Sequence, residues 1–266
     1  MSWIEVFALS VVQGVTEFLP ISSSAHLVLV PHIFGWQDQG LAFDVAVHFG
    51  TLFAVVIYFK SEILLLLKDW FISLKICKNV GESALAWAIL VATIPACIAG
   101  LLFNDVIEIY LRSPLVIAST TIIFGIVLFV ADRFAGKKDE KSITLYIALL
   151  IGLAQMLALI PGVSRSGITL SAALMLGFNR VSAARFSFLL SIPIILLASG
   201  YEGLKLSQSA YDIEWDKITG AVVISFLSGY ACIHLFLKAV SKFSITPFVL
   251  YRLILGGVLF FIFWSI

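Results

Sequence analysis

The sequence predicts an all-α integral membrane protein: six transmembrane helices plus two re-entrant helix–turn–helix hairpins, arranged as an inverted-topology repeat in one membrane domain. Three observations predict it. Apolar residues make up 61% of the 266 residues and charged residues only 12%, about half the roughly 25% of a soluble domain. Several stretches of about twenty residues hold no charge, and a spanning helix needs roughly 20 apolar residues. Two longer apolar regions are interrupted by proline and serine. This composition excludes a soluble enzyme, a disordered tail and a secreted disulfide scaffold. It also argues against nucleic acid as a partner, because the net charge is only +1 and no Lys/Arg stripe stands out.

The first apolar region runs from residue 3 to 35 and is broken by Pro20 and Ser22-Ser23-Ser24. It lacks a basic n-region and carries Glu5, Gln13 and Glu17, so it is not read as a cleavable signal peptide. Three spans follow, at 42–59, 84–103 and 115–131. Between the first two, residues 60–82 read as a basic amphipathic helix lying on the inner membrane surface. The second broken region runs from 143 to 178, interrupted by Pro161-Gly162 and Ser164-Arg165-Ser166. Spans at 184–204, 217–237 and 247–265 complete the chain. Each broken region is too long for one span, and each half is too short. Proline and glycine free backbone groups, which hydrocarbon cannot satisfy, so such breaks survive only inside protein or beside a watery cavity. Cys77, Cys97 and Cys232 are too widely spaced for a disulfide framework or a zinc site, and the 22 phenylalanines read mostly as lipid-facing or belt residues.

Positive charge orients these elements. Lys60, Lys68, Lys75, Lys78, Arg133, Lys137, Lys138, Lys141, Arg180, Arg185, Lys238 and Lys242 fall on one side if the first hairpin dips in from the other. The opposite face keeps only Arg112, Lys205 and Lys217 beside acidic residues that include Asp212. The basic side is therefore cytoplasmic. Each half holds one hairpin and three spans, which inverts repeat 2 (142–266) relative to repeat 1 (1–141). Gln13, Ser22 and Ser24 recur as Gln155, Ser164 and Ser166 at one constant offset. Inverted repeats with broken helices place a binding site at their interface near the midplane.

The turns carry the chemistry. Gln13 and Glu17 share a helix face, as do Arg165 and Thr169. Ser23 and His26 share one at the start of the next half-helix. Two half-helices pointing their N-termini at one place make an anion site, and Arg165 adds a fork suited to phosphate oxygens. Ser and His at this spacing supply a nucleophile and a base. Glu17 can orient His26, hold a cation or take a proton. Blander readings stand beside these. The serines can be helix N-caps, Glu17 and His26 can neutralise each other, and Asp44 with His48 can support the site or simply sit at the interface. His32 and His234 read as packed or interfacial. Arg165 is functional by default, since an arginine within the membrane costs several kcal/mol unless paired.

At both turns the chain resembles the undecaprenyl-pyrophosphate (undecaprenyl-diphosphate) phosphatases of the bacitracin-resistance type. The strings are Gln13 to Glu17, Pro20-Ile21-Ser22-Ser23-Ser24-Ala25-His26, Pro161 to Thr169, and Phe186 to Pro193. The resemblance implies hydrolysis of the terminal phosphate of undecaprenyl diphosphate, giving undecaprenyl phosphate and phosphate and recycling the carrier for peptidoglycan synthesis. It implies the bacterial plasma (inner) membrane and a site facing the periplasm or outer leaflet. The implied catalytic residues are Ser23, His26, Glu17 and Arg165. Substrate is expected at Gln13, Ser22, Ser24, Ser164, Ser166 and Thr169. A divalent cation, Mg2+ or Ca2+, is implied, with Glu17 its best ligand. Gln13 stands where many members carry Glu, so the cation can instead arrive with the diphosphate. Expected partners are the polyprenyl diphosphate and bilayer lipids, with a homodimer among the assemblies left open. Either Ser23 or His26 can be the nucleophile. The rival reading is a secondary transporter or lipid flippase using the same midplane anion site.

Overall fold

The helices of the two broken regions all begin at a serine or threonine cap. The computed structural model describes residues 1–207 and 214–264, so Asp212 and the last residue of the sixth predicted span lie outside the described residues. Helix α1 (Trp3–Phe18) starts with a capping box between Ser2 and Glu5 and stops before Pro20. Helix α2 (Ser23–Phe34) is capped by Ser22 and ends at Gly35 in the left-handed region. Helices α3 (Leu41–Tyr58), α4 (Lys60–Ile76), α5 (Ser83–Tyr110) and α6 (Pro114–Asp132) follow. The second half holds α7 (Leu145–Met156), a single 3-10 turn over Leu157–Leu159, α8 (Arg165–Met175), α9 (Arg180–Ser207), α10 (Trp215–Val240) and α11 (Thr246–Phe263). No strand occurs among the described residues.

Six of these helices are long and apolar enough to cross a bilayer: Leu41–Tyr58, Ser83–Ile107, Pro114–Asp132, Arg180–Leu206, Trp215–Val240 and Thr246–Phe263. They coincide with the six predicted spans, and the chain is a multi-pass membrane protein. Its exposed surface is correspondingly apolar, with Leu101, Leu102, Ile254 and Phe261 all open to the surroundings. The phenylalanines correct the sequence reading in part. Phe18, Phe59, Phe186, Phe188 and Phe236 are buried, and the Phe188 ring meets those of Phe18 and Phe236 at centroid distances of 5.4 and 5.7 Å. They fill the core where α1, α3, α9 and α10 converge.

Close packing is done by small residues, as usual between membrane helices. A Cβ on Gly14 of α1 would lie 2.7 Å from the Ser225 carbonyl oxygen of α10, and one on Gly152 of α7 would lie 2.5 Å from that of Ala92 in α5. The pairings are reciprocal: α1 packs on α10 as α7 packs on α5, while α6 pairs with α11 and α3 with α9. On the basic side Arg180 forks onto Asp132 (2.6 and 3.1 Å), and Arg185 bridges Glu62 (2.8 Å) and Glu140 (3.0 Å). Burial holds the Glu62 carboxyl above its ordinary range, against the pull of Arg185. Helix α4 turns Asp69 and Ser73 inward, where they receive the Glu82 amide and the Trp87 indole, and leaves Leu64, Leu67 and Phe71 exposed.

Candidate functional site

The two turns are built alike. Ser22 and Ser164 adopt φ of 72° and 71°, a region L side chains rarely occupy, and such strain persists only where surroundings enforce it. Each serine caps the helix that follows: Ser22 Oγ accepts the Ala25 amide (3.4 Å) and Ser164 Oγ the Gly167 amide (3.1 Å). Each also lies 3.1 Å from the serine two residues on, Ser24 and Ser166. Those second serines reach across. Ser24 Oγ accepts the Gly162 amide (3.1 Å), and Ser166 Oγ donates to the Leu19 carbonyl (2.8 Å). Thus α1–α2 and α7–α8 are locked turn to turn.

Between the turns lies a cavity of about 240 Å3, lined by Glu17, Ser22, Ser23, Ser24, His48, Gly162, Ser164 and Arg165 among others. Glu17 organises it. Its Oε1 pairs with Arg165 Nη2 at 3.1 Å. Its Oε2 accepts Ser23 Oγ and Gln13 Nε2, both at 3.1 Å, and lies 4.0 Å from His48 Nε2. The pair is largely shielded, with side chains 9% and 11% exposed. Arg165 is further fixed by Nη1 donating to the Ser187 carbonyl (3.0 Å), and Ser187 Oγ meets Thr169 Oγ1 at 2.7 Å.

The expected residues therefore separate into two sets. Glu17, Ser22, Ser23, Ser24, Ser164 and Arg165 line the cavity. Gln13, Ser166, Thr169 and His26 stand behind it: Gln13 under Glu17, Ser166 as a tie between the turns, Thr169 beneath Arg165. His26 differs from the expected pairing with Ser23. Its Nδ1 sits 2.7 Å from the Ser22 carbonyl and its Nε2 2.6 Å from Tyr251 Oη, because the ring turns toward α11. The group on Ser23 is Glu17. Glu17 likewise pairs with Arg165 and not with His26.

Of the doubtful pair Asp44 and His48, His48 reaches the cavity, while Asp44 receives Gln39 (3.0 Å). His234 meets Tyr58 at the surface (3.4 Å) and His32 packs on the Phe263 ring. Two neighbours escaped the sequence reading. Tyr251 holds His26, and nothing in its apolar span marks it out. Arg252 is fully buried and contacts both turns. Its signal was present, since it is the one charged residue between 247 and 265.

The arrangement suits a compact anion with a reactive phosphorus. The first amides of α2 and α8 have no intrahelical acceptors and, with Arg165, favour phosphate oxygens. Ser23 is a hydroxyl already hydrogen-bonded to a carboxylate, the geometry of a nucleophile beside its base. Gln13 Oε1 is buried without a partner. It stands behind Glu17 and Ser23, whose side-chain oxygens are hard donors of the kind Mg2+ or Ca2+ takes.

Known proteins resemble the chain over nearly its whole length. The family model described as "Bacitracin resistance protein BacA" matches residues 6–258. A Campylobacter curvus (strain 525.92) protein named undecaprenyl-diphosphatase is 60% identical over 263 residues, 99% of this chain and 100% of that one. One of the same name from Hahella chejuensis (strain KCTC 2396) is 56% identical over 257 residues, 97% of each. Undecaprenyl-diphosphatase 2 of Stutzerimonas stutzeri (strain A1501) is 55% identical over 267 residues, 99% of each.

Proposed function

The chain belongs to the bacitracin resistance protein BacA family, and we propose from that premise that it removes the terminal phosphate of undecaprenyl diphosphate to give undecaprenyl phosphate and phosphate. The observation that carries the mechanism is the Ser23 hydroxyl on Glu17 Oε2, inside a cavity that also holds Arg165. The diphosphate lies between the turns with its oxygens on Arg165 and the first amides of α2 and α8. Ser23 Oγ attacks the terminal phosphorus as its proton passes to Glu17. The bond from that phosphorus to the bridging oxygen breaks, and undecaprenyl phosphate leaves with the electron pair. Glu17 hands that proton to the departing phosphate and is a carboxylate again; it then takes a proton from the water that attacks the phosphorus and gives it to Ser23 Oγ as the Ser23–phosphate ester breaks, which releases phosphate and restores the hydroxyl. Arg165 steadies the charge that develops on the transferring group. Direct attack by His26 is less favoured, because both its ring nitrogens are engaged.

Glu17 and Ser23 would hold a divalent cation beside the diphosphate, with Gln13 supporting Glu17 from behind; bound there, it would supply neutralisation of phosphate charge. The hairpins enter the membrane from opposite faces of a bacterial inner membrane, and the cavity opens toward the periplasm. The twelve-to-three bias of Lys and Arg supports this orientation. Reciprocal packing of α1 on α10 and α7 on α5 supports the inverted repeat. A flippase needs the anion site but not the Ser23–Glu17 contact. The deciding experiment measures phosphate release from a synthetic polyprenyl diphosphate in detergent. Wild type releases phosphate; Ser23→Ala and Arg165→Ala release almost none. Normal turnover in either variant removes this mechanism. Transfer of the lipid across liposomes without hydrolysis establishes the transport reading instead.

A further inference from the structure

Arg252 is completely buried in α11, yet it faces no carboxylate among the described residues. A guanidinium has five N–H donors in a rigid fork, and here there are five contacts, all to backbone carbonyls. Nε donates to Thr121 (3.0 Å). Nη1 donates to Pro20 (3.3 Å) and Val163 (3.0 Å). Nη2 donates to Gly162 (2.9 Å) and, at the limit, Thr120 (3.5 Å). Three of these carbonyls belong to the two turns and two to α6. Pro20 lies two residues before Ser22, and Val163 immediately before Ser164, the two serines at positive φ.

From this geometry we infer that Arg252 is a positioning residue for the reaction, fixing the backbone of both turns so that their amides and Ser23 stay aligned on one phosphoryl group. In a trans peptide the C=O and the next N–H point opposite ways. Drawing the Val163 carbonyl onto Arg252 therefore turns the Ser164 amide to the other side. A single fork reaching both turns couples the nucleophile's turn to the turn that carries Arg165. A lysine keeps the charge but has one nitrogen with three donors, and cannot reproduce the five contacts of the fork. The neighbourhood is tight: a Cβ on Gly125 of α6 would lie 3.2 Å from Arg252 Cβ, and one on Gly167 of α8 would lie 3.0 Å from Nη1. These glycines give the guanidinium its place.

The inference rests on the phosphatase reading, and its test separates the two. Purified wild type, Arg252→Lys, Arg252→Met and Gly125→Ala are compared for phosphate release, for kcat and KM separately, and for melting in detergent. Misplaced reacting groups cost on the order of a hundredfold in rate. Arg252→Lys should therefore lose most of its kcat, by about tenfold or more, with KM changed by less than about threefold. Arg252→Met should do no better than Lys. Gly125→Ala, which shifts the Arg252 stem by a few tenths of an ångström, should melt near wild type and show a smaller loss of kcat. Full kcat in Arg252→Lys overturns the inference while wild-type activity leaves the phosphatase reading intact. A loss confined to KM also overturns it. If Arg252→Lys does not fold, Gly125→Ala decides: unchanged kcat and KM overturn the positioning role. No phosphate release by wild type overturns both.

Discussion

Glu17 touches Arg165, Ser23 and Gln13 at once, with His48 nearby, so a change there alters both the charge and the alignment of the hydroxyl. Glu17→Gln keeps the shape and removes the base; phosphate release should fall by about 10²–10⁴-fold. Gln13 acts through Glu17 and through its own unpartnered oxygen. Gln13→Leu should raise the concentration of Mg2+ or Ca2+ needed for half-maximal activity by about tenfold or more, the usual cost of losing a supporting ligand. Titration of chelated enzyme with each ion checks it. Tyr251→Phe removes one partner of His26 and leaves Ser23–Glu17 intact, so it should reduce kcat by about tenfold at most; a loss as deep as that of Glu17→Gln would return His26 to the role of base. Glu17, Ser23 and Arg165 were legible in the sequence because unusual residues stood at a helix break. The Ser23–His26 pairing was misjudged because spacing fixes a shared face but not where a ring turns, and α11 supplies the ring's partner, Tyr251. Arg252 went unread because no neighbour in its span repeats or pairs with it.

Helices were easier to read than contacts. Charge-free apolar runs mark the spans, and proline with a capping serine marks each break. The clearest extensions are α9, which covers Arg180–Ser207 against 184–204, and α5, which continues to Tyr110 beyond 103, since Asn104 and Asp105 can remain helical once they emerge from the apolar layer. Which helix meets which was not legible, because the glycines that decide it look alike in sequence. Gly152 is the sharpest case. A side chain there runs into the Ala92 backbone, where no rotamer change relieves it. Gly152→Val should cost about 1–3 kcal/mol or more, lowering the melting temperature in detergent. A β-branched residue at the open Gly257, which has nothing within 4 Å of its Cβ position, should cost less, and equal melting of the two variants would contradict the packing at α5.

Taken as a whole, the molecule separates a charged girdle from a locked centre. Arg180 and Arg185 hold α9 to Asp132, Glu62 and Glu140 on the basic side, and the same side carries Cys77, which is exposed. A membrane-impermeant maleimide should therefore leave Cys77 unlabelled in intact cells and label it after permeabilisation; labelling of intact cells would invert the orientation. Cys232 is buried against the Val15 carbonyl (3.1 Å) and should stay unlabelled in the folded protein.

Ser24 and Ser166 each lend a hydroxyl to the opposite turn's backbone. Neither half can complete its own bend, so the chain's two moieties are mutual templates. Severed between residues 133 and 144 and co-expressed, they should reassemble, and either fragment alone should be degraded. Over evolutionary time such borrowing ties their drift together, since a substitution in one moiety is judged by the shape of the other.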